Sequence, residues 1–265
     1  GSFRAAYSFL LRVRNELHFL SKRPPDVLHL EKQPDVARGL GYEQEDFFDR
    51  VESFMGDYYS RARTIRQTAD VLEDRLALSG GGNVSRLSFS SILKFFRSKP
   101  SKIVDGFEFS EGELHAPDPT VLDQDPERIL RLFRHAQKME AKLSPDLRSL
   151  IRNRLTLIDA DLIKNPSANI TFRSILQQAG SVGTTLTEMH DLGVLGRFVP
   201  EFDRLTCKVQ HELYHRYTAD VHVLRCIGEL DKIFHGHEEN THPYGEILRK
   251  TEIPTLLYLM IFLHD

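Results

Sequence analysis

A mainly α-helical fold with one short β-hairpin is what this sequence predicts, on three observations. Apolar side chains recur at three- and four-residue steps over long stretches, the spacing that puts them on one face of a helix. Helix start and stop residues, among them Asp-Pro, Ser-Pro and Leu-Gly pairs, separate these stretches. Alternation of apolar and polar residues, the signature of a strand, is convincing only near residues 106–115.

Phe3, Tyr7, Leu10, Leu17 and Leu20 form the stripe of an opening amphipathic helix, with Arg4, Arg12, Arg14 and Lys22 elsewhere and Pro24-Pro25 as its stop. The rhythm resumes at Phe47 and Phe48 and continues through Val51, Phe54, Met55, Tyr58, Ala62, Ile65, Ala69, Leu72 and Leu76. That run predicts one long helix with a weak point at Gly56. Ser79-Gly80-Gly81-Gly82-Asn83 has the composition of a flexible connection. Phe107 and Phe109 then alternate with polar neighbours before Glu111-Gly112-Glu113-Leu114, which suits a hairpin. Asp125-Pro126 and Ser144-Pro145 each place a capping residue before a proline at the first helical position, and apolar residues at helical spacing follow both. Thr185-Leu186-Thr187-Glu188 fits a capping box, Leu192-Gly193 fits a helix ending at a left-handed glycine, and Pro200 stops the next element.

Composition narrows the function classes. Apolar residues make up 40% and charged residues 28%, and the net charge of −3 removes any general electrostatic case for nucleic acid as a partner. No stretch is apolar enough to span a bilayer and the start lacks a signal-peptide pattern, so the expectation is a cytoplasmic protein with no membrane partner. Cys207 and Cys226 do not form a C-x-x-C pair, which argues against a disulfide framework or a Cys-rich zinc site and predicts two small buried hydrophobes.

Seven of the twelve histidines lie from His211 onward, so chemistry is sought there. His211-Glu212-Leu213-Tyr214-His215 matches H-E-x-x-H, in which two histidines one helical turn apart bind zinc and the glutamate acts as base, with Glu238 or Glu239 available as a third ligand. That pattern is short, and exposed or core-edge histidines on a helix give the same letters. His264-Asp265 follows the apolar segment Leu256–Leu263, which would hold the pair rigidly at the end of a core helix. Together with an earlier histidine, an imidazole and a carboxylate of this kind can hold one divalent ion. The earlier ligand is His222, on a helix that Thr218 can cap, with His215 as the competing choice. His235, His237 and His242 read as polar loop residues among Gly236, Asn240 and Pro243. Arg12, Arg14, Lys22 and Arg23 could approach a phosphate or partner carboxylates, though such a run usually marks a solvated helix face. Gly80-Gly81-Gly82 lacks the Lys-Ser/Thr of a phosphate loop, and Asp159 and Asp161 sit in helical spacing that points them apart.

The order of motifs resembles a known family. Residues 9–18, Leu40-Gly41-Tyr42, Met55 with Tyr58-Tyr59, Asp105-Gly106-Phe107-Glu108, Leu157-Ile158-Asp159, the run from Leu192 to Phe202, and Tyr214-His215 with Tyr217-Thr218 through His222 are similar, in sequence order, to the bifunctional PII uridylyltransferase/uridylyl-removing enzymes. The resemblance implies a helical uridylyltransferase-associated domain over residues 1–200 and the N-terminal, truncated part of an HD phosphohydrolase domain over 201–265. It implies an enzyme that moves UMP from UTP to the PII signal-transduction protein and hydrolyses it off when glutamine, sensed by ACT domains, signals sufficiency. It implies Mg²⁺ or Mn²⁺ held by His222, His264 and Asp265, and it makes the H-E-x-x-H match accidental. The transferase carboxylates are expected before residue 1 and the last HD aspartate after residue 265, so these 265 residues alone are expected to be inactive. A non-catalytic helical interaction module and, further off, a zinc metalloprotease acting through His211, Glu212 and His215 are the alternatives.

Overall fold

The computed structural model describes residues 1–21, 26–80, 102–209, 217–235, 248, 250 and 253–264. These are mainly helical, and they gather into two compact units, one of residues 1–72 with 204–222 and one of residues 73–203 with 223–265. Among the described residues no helix is long and apolar enough to cross a membrane.

In the first unit, α1 (Ser2–Phe19), α2 (Gln33–Gly39) and the start of α3 (Phe47–Gly80) enclose a core of Val13, Leu17, Val36, Ala37, Val51, Phe54 and Met55. The opening helix is present, but its buried face differs from the expected stripe. Ala6, Val13 and Leu17 go inward, while Phe3 and Tyr7 stay exposed and stack on one another at 6.2 Å. Ala6 is fully buried although small, which a count of large apolar residues misses. The long helix α3 runs unbroken through Gly56. Lys22, Arg23 and Pro24-Pro25, and the connection from Gly81 onward, lie outside the described residues. Arg14 pairs with Asp26 at 3.2 Å on the surface, a contact of small energetic weight.

The second unit opens with a four-stranded sheet in the order β1 (Lys102–Val104), β2 (Phe107–Ser110), β3 (Glu113–His115) and β4 (Lys142–Leu143). The expected hairpin is β2–β3, antiparallel with Ser110 opposite Glu113; β1 extends it and β4 adds a parallel edge. Both tight turns carry an acidic residue followed by glycine with positive φ at each, 55° and 86° at Asp105-Gly106 and 52° and 84° at Glu111-Gly112. This is the geometry of a two-residue type I′ turn, whose twist matches that of the strands it joins. Phe107 and Leu114 are fully buried.

Nine described helices complete this unit together with the last turns of α3: α4 (Val121–Gln124), α5 (Arg128–Met139), α6 (Pro145–Asn153), α7 (Ala160–Lys164), α8 (Pro166–Leu176), α9 (Val182–Asp191), α10 (Val194–Phe198), α11 (Pro200–Asp203) and α13 (Pro254–Phe262); α12 (Ala219–His235) runs from the first unit into the second. Ser144 caps α6 as expected, its hydroxyl accepting from the Leu147 N–H at 3.3 Å. Asp125 accepts from the Glu127 N–H at 3.1 Å, but a turn intervenes and the regular helix begins at Arg128. The capping box at Thr185 is not formed, because α9 starts earlier, at Val182. Thr185 lies inside it, donating to the Ser181 carbonyl at 2.8 Å. Gly193 is left-handed at φ 82° as expected, and Pro200 both ends α10 and opens α11. Aromatic rings close the core of this unit, with Phe262 of α13 stacked on Phe202 at 5.2 Å and tilted against Phe172.

Candidate functional site

His222 stands in the first turn of α12, half-buried, its backbone N–H donating to the Thr218 carbonyl at 2.8 Å. Thr218 occupies the position just before the helix, as expected, and is itself buried. The next two backbone donors would be orphans at a helix start. Here the Ala219 N–H reaches the Lys208 carbonyl at 2.9 Å and the Asp220 N–H reaches Leu205 at 3.4 Å. Asp220, its side chain only 2% exposed, faces the guanidinium of Arg63 on α3 at 3.6 Å. Cys207 lies between these groups with φ 60°, and burial, followed by the Asp220 charge, pushes its thiol up against the opposing pull of Arg63. Both cysteines are half-buried rather than fully buried, and neither is in a disulfide.

His264 follows α13 at the surface, with Nδ1 2.6 Å from the Ile261 carbonyl. A carbonyl only accepts, so Nδ1 is the donor in this contact, an arrangement that fixes the orientation of the ring. Imidazoles such as those of His222 and His264 are a donor type that divalent ions accept. His222 belongs to the first unit and His264 to the second. Asp265, the competing ligand His215, and the rest of the H-E-x-x-H pattern, His211 and Glu212, lie outside the described residues, as do His237 and His242. Among the described residues no group of three or more His, Cys, Asp or Glu side chains forms a metal cluster. Asp159, half of the apparent D-x-D, is used for capping instead, accepting from the N–H groups of Asp161 and Leu162 at 3.0 and 2.9 Å.

Two polar networks in the second unit escaped sequence reasoning. In one, Asp231 of α12 is buried and accepts from the Val182 and Gly183 N–H groups at 3.2 and 2.6 Å and from the Tyr258 hydroxyl at 2.6 Å. The Tyr258 oxygen in turn accepts from the Gly180 N–H at 3.0 Å, and burial, then Asp231, pushes this hydroxyl up so that it stays a donor. Gly183 is required where α9 meets α12, since a Cβ there would stand 2.8 Å from the Gly228 Cα. In the sequence Asp231 does not stand out, because it lies beside Glu229 and Lys232.

In the other, Asp105 at the first turn of the sheet receives Arg131 bidentately at 2.6 and 3.1 Å and Arg128 at 3.2 Å, with His135 at 3.5 Å. Arg131 continues to Asp125 at 2.5 Å. Burial by itself would raise the Asp105 carboxyl, but the hydrogen bonds and charges of Arg131 and Arg128 outweigh it and hold the group below the usual carboxylate range. A carboxyl depressed in the folded state adds stability that is complete above its unfolded pKa of about 3.9 and is lost as pH falls through the folded value. His135, held low mainly by burial, adds a loss of the same sign beginning below about pH 6.5. Asp105→Asn keeps the turn, because Asn tolerates positive φ. It is expected to lower stability at pH 7 by about 1–3 kcal/mol and to flatten the fall of stability below about pH 4. Urea titrations of both proteins from pH 3 to 7 check this; parallel acid limbs would contradict it.

Comparison with known proteins gives a consistent result. Residues 1–72 match the family described as GlnD PII-uridylyltransferase, and residues 107–198 match the one described as uridylyltransferase GlnD third domain. The first match ends at the residue where the N-terminal stretch of the first unit ends. Over its whole length the chain is 33% identical to the bifunctional uridylyltransferase/uridylyl-removing enzyme of Bradyrhizobium sp. (strain ORS 278), of which it covers 29%. It is equally similar, at 33%, to proteins of the same description from two strains of Caulobacter vibrioides, covering 28% of each. The chain thus spans under a third of the length of these relatives. No solved structure matches.

Proposed function

The chain belongs to the bifunctional uridylyltransferase/uridylyl-removing enzyme family, and from that premise we propose that it is the central part of an enzyme that transfers UMP from UTP to the PII signal protein and hydrolyses it off again. The observation that carries this reading is similarity over all 265 residues to proteins so described, with matches to two of the family's own domains. Residues 1–200 form the helical region associated with the transferase, and residues 201–265 open a phosphohydrolase of the HD class. His222, His264 and Asp265 are the ligands of a divalent ion in that hydrolase, with Mg²⁺ or Mn²⁺ matching the nitrogen and oxygen donors. When bound, such an ion polarises a phosphodiester and lowers the pKa of water enough to supply hydroxide near neutral pH. The protein's own share is to present imidazole lone pairs in fixed orientation. For His264 the bond to the Ile261 carbonyl supports that role. Glutamine acts through ACT domains that these residues do not contain, and the 265 residues by themselves turn over neither reaction.

The test uses the full-length protein carrying these residues, PII, and UTP labelled in its α-phosphate. Label is expected to pass to a tyrosine of PII and to be released as UMP when glutamine and Mn²⁺ are added. A full-length protein that neither labels PII nor releases UMP from labelled PII would overturn the reading.

A further inference from the structure

We propose that Arg63 is a positioning residue for His222, fixing the first turn of α12 through its ion pair with Asp220; this rests on the reading of His222 as a metal ligand. The segment from Arg204 to His222 belongs to the same compact unit as residues 1–72, although it follows them by more than a hundred positions. Its described residues Cys207 and Val209 approach the first unit's core. Val209 packs against the core cluster of Val13, Leu17, Val36, Ala37, Val51, Phe54 and Met55. The Cys207 carbonyl lies 3.7 Å from where a Cβ on Gly56 would be. Arg63 comes seven residues after Gly56 in the sequence, two helical turns on and therefore on the same face. From there its guanidinium reaches the Cys207 side chain and the Asp220 carboxylate.

The first turn of α12 is thereby held at three points. Two are the backbone bonds from Ala219 and Asp220 to the carbonyls of Lys208 and Leu205. The third is the Arg63–Asp220 pair, in which the carboxylate is almost wholly buried and the guanidinium is about a quarter exposed, at 2% and 24%. A buried carboxylate is tolerated only with its cation, and loss of that cation drives the carboxylate toward water. Asp220 precedes His222 by two residues in the same turn, so the backbone movement that exposes Asp220 also turns His222. Arg63 lies in the stretch matched by the PII-uridylyltransferase family, which makes the pair a direct mechanical link between that region and the hydrolase ligand.

The experiment measures Mn²⁺ affinity, by the loss of the free-ion electron paramagnetic resonance signal, and the rate of UMP removal in the full-length enzyme. Arg63→Ala is expected to weaken Mn²⁺ binding and slow removal by about 10–100-fold, the effect usual for a residue one step behind a metal ligand. Arg63→Lys, which keeps the charge, is expected to recover most of both. The double variant Arg63→Met with Asp220→Asn leaves no charge buried, so it keeps its fold while retaining the weakened binding. His222→Ala is run in parallel. If it leaves Mn²⁺ binding and removal intact, the ligand assignment itself is wrong. If it abolishes both while Arg63→Ala and the double variant behave as wild type, the assignment stands and the positioning role is overturned. Equal losses in Arg63→Lys and Arg63→Ala would also overturn it.

Discussion

Asp231→Ala is expected to destabilise the protein by about 3–5 kcal/mol, the range for removing one partner from a buried charged network. Its carboxylate is the acceptor for three buried donors from two other elements, the N–H groups of Val182 and Gly183 at the start of α9 and the Tyr258 hydroxyl of α13. The first N–H groups of a helix have no partner within the helix, and a negative charge there also meets the favourable end of the helix dipole. Alanine leaves all three donors without an acceptor and gives water little access, since Asp231 is only 6% exposed. The melting temperature followed by helical circular dichroism should fall by on the order of 10 °C. Asp231→Asn keeps one acceptor oxygen and should lose roughly half as much, and Tyr258→Phe about 1–2 kcal/mol. A drop of less than about 1 kcal/mol for the alanine variant would show that the network is dispensable.

On the proposed function, His222→Ala in the full-length protein should abolish UMP removal while sparing transfer from UTP. The effect should exceed the roughly 10–100-fold of a residue behind the metal, because under the proposed assignment a ligand itself is deleted. The same substitution should barely affect folding. His222 is half-buried in a helix, alanine is the best helix former, and the backbone bond from residue 222 to the Thr218 carbonyl does not depend on the side chain. His264→Ala should give the same separation of activities. Assays of both reactions on the same preparations check this, with the melting temperature as control. Removal that persists in either variant would take that histidine out of the hydrolase.

Much of the architecture was legible in the sequence because it depends on local physics. The unbroken α3, the turn glycines Gly112 and Gly193, and the Ser144-Pro145 cap are each set by residues within a few positions of one another. Where sequence reading failed, competition between neighbours decided. Ser181 rather than Thr185 precedes α9, because Asp231, fifty positions away in the chain, supplies the carboxylate that satisfies its first N–H groups. On α1, Ala6 is buried while the larger Phe3 and Tyr7 remain exposed, so the inward face follows from the tertiary neighbours rather than from side-chain size.

The candidate site divides in the same way. The sequence by itself determined that His222 and His264 are present as imidazoles, a donor type able to hold a cation, and the family to which the chain belongs, since side-chain chemistry and motif order are properties of the chain. Tertiary structure alone decided that Asp105 gathers Arg128 and Arg131, that Asp231 ties three elements together, and that Arg63 meets Asp220 beside His222. Each of those carboxylates is at least partly withdrawn from water and needs a partner to remain charged. A linear sequence shows the charge, but only the fold shows which distant cation or N–H group neutralises it.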